Sequence, residues 1–424
     1  MTKRNIIIIS LDEVRPDHLS CYGYKKINTP AIDQVAREGV RFETCTTSSC
    51  FTPVAMSSVI TGKYPNKHGM RDPYSYLIGP SIATILKKYD YKTAGFVGNS
   101  LLSKKNGFAE GFDFYNESSE ETSWEEATYK EDPKKTKVLV GNYWVEKFFK
   151  WLNENYEEKF FIWGHLLETH EGSENYLLKK GLIKEGELSE FGYYDAKIKM
   201  TDEKLINRLI NNLKELDIYE NTTLVIMSDH GTNLGEHPAP PICYRETERK
   251  YPQHMTMYDC DLKNAMIIKG EKIPKDKIIY GMVRSIDLIP TLLDLIGVKL
   301  DKFGFDGESL LPVIRNGVAK DRILYAEDIF EPRGPGIIQA IRDDYSKYMR
   351  NLTKWTEEYY DLSKDPNEKN NIIGKIESEK ILKLRKKLNS FLISTDISKS
   401  KKAPITNKEK SIIDERLRRL GYIE

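Results

Sequence analysis

Two short runs constrain this chain more than anything else in it. NIIIISLD (5–12) and TTLVIMSDHG (222–231) each carry an apolar, β-branched stretch directly into an acidic residue. Runs without polar alternation suit strands covered on both faces, as in the middle of a parallel sheet. Helical patterns at Thr29–Gly39, Pro80–Tyr89 and Tyr194–Leu216 alternate with further strand-like runs, KTAGFVGN and KFFIWGHLL. Such alternation predicts an α/β fold, a doubly wound, mostly parallel sheet with helices on both faces. In sheets of that kind the active site lies beyond the carboxyl ends of the strands. Asp12 and Asp229 each follow a strand end, so the two acids are expected to meet.

The texture changes near residue 320. ILYAEDIF, IQAIRDDYSKYMR and WTEEYYDL read as short strands with turns, and Glu377–Leu392 reads as a helix. This predicts a catalytic domain over 1–320 and a small C-terminal α+β subdomain over 321–395. A polar tail with a short helix, expected to be mobile, occupies 396–424.

Charge and cysteine content narrow the function. The 65 basic and 64 acidic residues leave a net charge of +1, which excludes a global basic footprint for nucleic acid. Five cysteines (Cys21, Cys45, Cys50, Cys243, Cys260) show no CxxC spacing and read as free thiols. The N-terminal apolar run, Ile6 to Ile9, is too short for a signal peptide. No stretch approaches the roughly 20 apolar residues of a membrane span. The expectation is a cytoplasmic protein.

The chemistry concentrates in the larger part. All seven histidines (His18, His68, His165, His170, His230, His237, His254) precede residue 255, several beside acids. Asp12-Glu13 and Asp229-His230 together offer three carboxylates and an imidazole. That set suits one hard or borderline divalent ion, Mn²⁺, Ca²⁺, Mg²⁺ or Zn²⁺, with Mn²⁺ placed first. In CFTPVAMSSVITG, Thr52 reads as the N-cap of a helix that has Pro53 in its first position and Gly62 past its end. A hydroxyl there lies at the positive pole of the helix, where anions bind.

The order IIIISLDEVRPDHLSCYGY, FTPVAMSSVITGKYPNKHG, VIMSDHGTNLGEH resembles the sulfatase family of the alkaline phosphatase superfamily. NAMIIKGEKIP, SIDLIPTLLDLIGV and YYDLSKDPNEKNNI are similar to its later landmarks, and the likeness runs over nearly the whole chain. It implies one metal held by Asp12, Glu13, Asp229 and His230 beside Thr52. It also implies that His170 and His254 contact the substrate anion and the leaving group. His18, His68 and His165 read as structural hydrogen-bonders, and His237 is not assigned.

The departures matter as much. Counting back from Thr61-Gly62, Thr52 occupies the position that sulfatases convert from Cys or Ser to formylglycine, and Met56 stands where their arginine does. Formylglycine is therefore not expected. The family's Lys-x-His clamp is replaced by GFVGNSLL, which leaves Asn99 as an anion contact. A plain threonine cannot expel sulfate by collapse to an aldehyde. The favoured expectation is therefore a hydrolase of phosphate or phosphonate esters working through a phosphothreonine. Its alternatives are a sulfatase acting without formylglycine, a phosphotransferase, and an inactive anion-binding protein. The expected partner is a small anionic ester. The loops Glu117–Lys137 and Gly172–Phe191, with Tyr193, Tyr194 and Tyr244, are candidates for setting specificity.

Overall fold

The structure is a computed structural model that describes residues 4–117, 142–170, 191–238, 256–330, 336–393 and 401–419. Nine strands build the main sheet. They are β1 (Asn5–Leu11), β2 (Val40–Thr46), β3 (Lys92–Val97), β4 (Phe114–Glu117), β5 (Phe160–Leu166), β6 (Thr222–Ser228), β7 (Lys263–Asn264), β8 (Met266–Lys269) and β9 (Lys277–Arg284). Their order is β4-β3-β5-β1-β6-β8-β2-β7, with β9 paired to β2. β4, β3, β5, β1 and β6 run parallel, whereas β8 is antiparallel to both its neighbours. The sheet is thus mixed and mostly parallel, as the strand texture predicts.

β1 is buried at every position, which is why its four isoleucines need no polar alternation. Alternate residues serve opposite layers. Ile6 and Ile8 join the core beneath the Thr52–Thr61 helix, while Ile7 and Ile9 join the core on the other face. Each fully buried isoleucine contributes about 1.5–3 kcal/mol of transfer free energy, an upper estimate.

The register of the central strands builds the site. Leu11 pairs with Leu166 of β5 on one side and with Ser228 of β6 on the other. The residues that follow, Asp12, Leu167–His170 and Asp229, therefore leave the sheet at one edge. A slip in strand register would separate them.

After the main sheet come β10 (Leu324–Asp328), β11 (Ile338–Arg342), β12 (Ser346–Asn351) and β13 (Thr356–Asp361), an antiparallel meander, and a helix over Ser378–Ile393. One face of this sheet, including Ala340, Met349 and Tyr360, shares a continuous core with the catalytic part. The other face packs Tyr348 and Tyr359 against Ile381 and Leu388 of the helix. The tail departs from expectation. Lys402 bridges to Ser75, Ala403 N–H donates to Tyr74 O (2.8 Å), and the Asn407–Arg419 helix buries Leu417 completely. Backbone pairing and a few apolar contacts, from Ala403, Ile413 and Leu417, dock a segment whose composition reads as solvated. Among the described residues no helix is long and apolar enough to cross a membrane.

Candidate active site

The Thr52–Thr61 helix begins one residue earlier than the Thr-Pro pattern suggests. Phe51, with extended backbone, is its N-cap, and Ala55 N–H donates to Phe51 O at 2.9 Å. Thr52 is the first helical residue and Pro53 follows it. No side chain caps this helix. The Thr52 hydroxyl is fully buried and faces His230 instead, with Oγ1 at 3.3 Å from Nε2. His230 Nε2 lies 3.4 Å from Asp229 Oδ2 as well. On the far side of the ring, Nδ1 donates to the Gly231 carbonyl at 2.7 Å, which turns Nε2 toward the acids and the hydroxyl.

Asp12, Glu13 and Asp229 are each no more than 1% exposed. Glu13 has a left-handed backbone, φ 59°, which is rare for a residue with a side chain. Its surroundings hold that turn: Glu13 N–H donates to Asp229 Oδ1 (3.0 Å), and Tyr194 OH donates to Glu13 O (2.7 Å) while accepting from Arg15 N–H (2.8 Å). Thr169 Oγ1 donates to Asp12 O at 2.5 Å. The side chains of His165 and Asn99 converge on Asp12 Oδ2, at 3.2 and 3.1 Å. Asn99, expected to contact the substrate anion, donates through its Nδ2 to the Asp12 carboxylate. His170 Nε2 is 3.2 Å from Glu13 Oε1, and the buried Lys197 donates to His170 O at 2.8 Å.

The protonation pattern follows from crowding like charges. For Asp229, burial and then the nearby Asp12 charge push its carboxyl up, although His230 opposes them. Burial also acts on Asp12, but the hydrogen bond from His165 and the charges of His170 and His165 outweigh it and hold that carboxyl down. His230 is raised: burial lowers it, yet the charges of Asp229, Asp12 and Glu13 prevail. A divalent cation relieves the same repulsion. The residues fit one, because Asp12 Oδ1 and Asp229 Oδ2 are buried with no hydrogen-bond donor. Ligand atoms gather in two groups, Asp12–His165–Asp229 and Asp12–Glu13–His170, each within 4.8 Å.

Other expected residues fall elsewhere. His254 and Tyr244 lie outside the described residues, as do Cys243 and most of both specificity loops. His237 stacks on Tyr258 at 3.7 Å. His18 pairs with Asp195 (2.6 Å) and His68 with Ser58 (2.8 Å), structural bonds as expected. Cys50 is buried against Met257. His165, grouped with them, does more: its Nδ1 meets Ser10 Oγ at 2.9 Å, so the ring is fixed as it reaches Asp12. Ser10 and His165 are registered neighbours on β1 and β5. That pairing is the signal that sequence reading lacks.

Two further residues invite tests. Gly231 packs on backbone: an added Cβ would lie 2.1 Å from Cys260 O. Gly231→Ala is expected to lower stability by about 1–3 kcal/mol, read by denaturant unfolding. Glu168, two residues before His170, is buried with neither oxygen hydrogen-bonded, and burial raises its carboxyl to about 8. Its folded value exceeds the ordinary 4.5, so its contribution is complete below pH 4.5 and is lost as pH rises toward 8. Glu168→Gln should flatten that part of a melting-temperature-versus-pH profile; an unchanged slope would assign it to other groups.

Comparison with known proteins places this geometry. The family model described as "Sulfatase" matches residues 4–298. The chain belongs to the sulfatase family. In this sulfatase-family chain, residues 247–394 also match the model described as "N-sulphoglucosamine sulphohydrolase, C-terminal". An ulvan-active sulfatase of Formosa agariphila is 27% identical, over 91% of this chain and 81% of its own length. An N-acetylglucosamine-6-O-sulfatase of Bacteroides thetaiotaomicron is 23% identical, over 89% and 84%. Among solved structures, a protein in complex with its substrate D-glucosamine-2-N,6-O-disulfate superposes with TM-score 0.69 at 19% identity, covering 99% and 98% of the two chains. A phosphonate monoester hydrolase of Agrobacterium radiobacter reaches 0.71 at 18%, covering 93% and 96%. These superpositions show the fold alone.

The chain is a sulfatase-family hydrolase acting on ester bonds. The expectation of a phosphate or phosphonate ester is overturned, since the sequence relatives matched over most of their length are sulfatases. That expectation rested on the fate of a sulfated threonine. It loses its force if water attacks sulfur directly and no such adduct forms.

Proposed function

We propose that this protein hydrolyses sulfuric esters of carbohydrates in a divalent-metal-dependent reaction without formylglycine. One observation carries the reading: sulfatase kinship over nine-tenths of the chain, joined to a threonine hydroxyl at the site that no helix cap engages. Asp12, Glu13, Asp229, His230 and Thr52 would hold the metal. When bound, the ion supplies Lewis-acid stabilisation of the sulfate oxygens and offsets the buried carboxylates.

The residues do the rest. The helix N-terminus favours the anionic sulfuryl group. Thr52 Oγ1 holds the attacking water by accepting its hydrogen bond. Water adds to sulfur, the bond from sulfur to the ester oxygen breaks, and His254 gives the departing alcohol its proton. The products are alcohol and sulfate with one proton released. Carbohydrate is the substrate class because the named relatives act on ulvan and N-acetylglucosamine sulfate.

The test is a panel of sugar sulfates, glucosamine 6-sulfate included, beside phenyl phosphate and phenylphosphonate esters, run in ¹⁸O-water. One ¹⁸O in released sulfate, with the alcohol unlabelled, is the expected result. Turnover of the phosphorus esters with none of the sulfates would overturn the reading.

A further inference from the structure

At one end of the smaller sheet an aromatic side chain is held out in water. Trp355 is 88% exposed, more than any other large apolar residue described, and it closes the hairpin between β12 and β13. Its backbone is left-handed, φ 56°. Hairpin turns give such a position to glycine or asparagine, and a bulky aromatic there is strained. The turn is nonetheless fixed. Asn351 Oδ1 accepts from Thr353 N–H (3.0 Å) and Lys354 N–H (2.8 Å). Leu352 N–H donates to Ile337 O (2.8 Å), and Ile337 N–H donates to Thr353 Oγ1 (3.1 Å). Gly336 makes room for that contact, since a Cβ there would lie 2.4 Å from Thr353 Cβ. Packing does not account for a ring placed so firmly and left uncovered.

Position does. Asp328, Ile338, Asn351 and Thr356 form one row across the sheet. Beside its β10 end, Glu327 N–H donates to Ser48 O (3.0 Å), and Phe330 stacks on Phe51, the cap of the Thr52 helix. On β13, Glu358 accepts from Tyr258 OH (2.8 Å), and Tyr258 stacks on His237. The row therefore lies at the Thr52 end of that helix. Trp355, next to Thr356, stands three strand spacings from Asp328, about 14 Å. A single sugar at the reacting centre does not reach that far, whereas a chain of sugars does.

We propose that Trp355 is a distal subsite that stacks on a sugar ring of a sulfated oligosaccharide, beyond the ring whose ester is cleaved. The inference rests on the carbohydrate-sulfate reading above and deepens it, from sugar sulfates in general to oligomers. A pyranose presents a face of C–H groups, which a flat indole covers, and an indole already fixed in place loses little freedom on binding. Charge fits the same ligand. Lys354, beside the ring, is exposed, and no carboxylate pairs with it among the described residues, so its ammonium complements a sulfate on the same oligomer.

The experiment uses the metal-loaded full chain with glucosamine 6-sulfate and with oligosaccharides of ulvan and heparin, graded from disaccharide to octasaccharide. Calorimetric titration reads binding, and ion chromatography reads released sulfate. Affinity and kcat/KM are expected to rise with oligomer length. In Trp355→Ala the advantage of octasaccharide over glucosamine 6-sulfate should fall about tenfold or more, through KM, while Trp355→Phe keeps most of it. Lys354→Gln should lose a smaller part, the part that added salt also removes. An advantage that is unchanged in Trp355→Ala, or missing from the unmodified chain, would refute the subsite. The two readings fail separately. Length-dependent binding that needs Trp355, with no sulfate released, sinks the function and leaves the subsite standing. Sulfate release that is indifferent to Trp355 at every length does the reverse.

Discussion

Thr52→Ala is expected to lower release of sulfate from an active sugar ester by about 10²–10³-fold, the usual cost of removing one group that contacts the reacting centre. Thr52→Ser should stay within about tenfold of the unmodified chain, because the hydroxyl survives and only a methyl is lost. The reasoning is local. Thr52 Oγ1 is buried, makes no cap and sits 3.3 Å from His230. Alanine leaves the helix intact, since the cap is Phe51, so the loss should appear in kcat with little change in melting temperature. Ion chromatography of sulfate beside a thermal melt checks both halves. An alanine variant at full rate would remove Thr52 from the chemistry. A drop in rate matched by a collapse in stability would mean that the hydroxyl serves packing.

Asp12→Asn should abolish metal-dependent turnover, by about 10³-fold or more. Several kcal/mol of charge stabilisation depend on the cation, and each 1.36 kcal/mol is a factor of ten. The variant keeps the shape of the side chain but turns one acceptor oxygen into an amide donor and removes the charge at the centre of both ligand groups. The rise in melting temperature that a bound ion gives the unmodified chain should vanish with it. A differential scan with and without Mn²⁺ reads this without any substrate. Persistence of the metal-induced shift in Asp12→Asn would show that the ion binds elsewhere.

Much of this centre is legible in the chain. NIIIISLD and TTLVIMSDHG announce two buried strands that end in acid, and parallel pairing puts their ends together. Asp12, Asp229 and His230 follow from that geometry, whereas Thr52 joins them only through the family resemblance. What escapes is whatever depends on lateral register. His165 looks like any strand histidine until β5 is set against β1, where it meets Ser10 and then Asp12. Tyr194 reads as a packing tyrosine because its work on the Glu13 carbonyl depends on a helix crossing from far along the chain. The helix start was misplaced by one residue for a related reason. A Thr-Pro pair scores as cap and first turn, yet Phe51 adopts the cap backbone with no side-chain bond at all. The docked tail escapes because polar composition hides a few apolar anchors, Leu417 and Ile413 among them.

The C-terminal meander leans one face on the same apolar interior that underlies the Thr52 helix. The two sheets therefore do not come apart as independent bodies. Heat or denaturant that loosens the smaller one opens the floor beneath Thr52. Mutations far from Thr52, in the smaller sheet, are in a position to silence the enzyme.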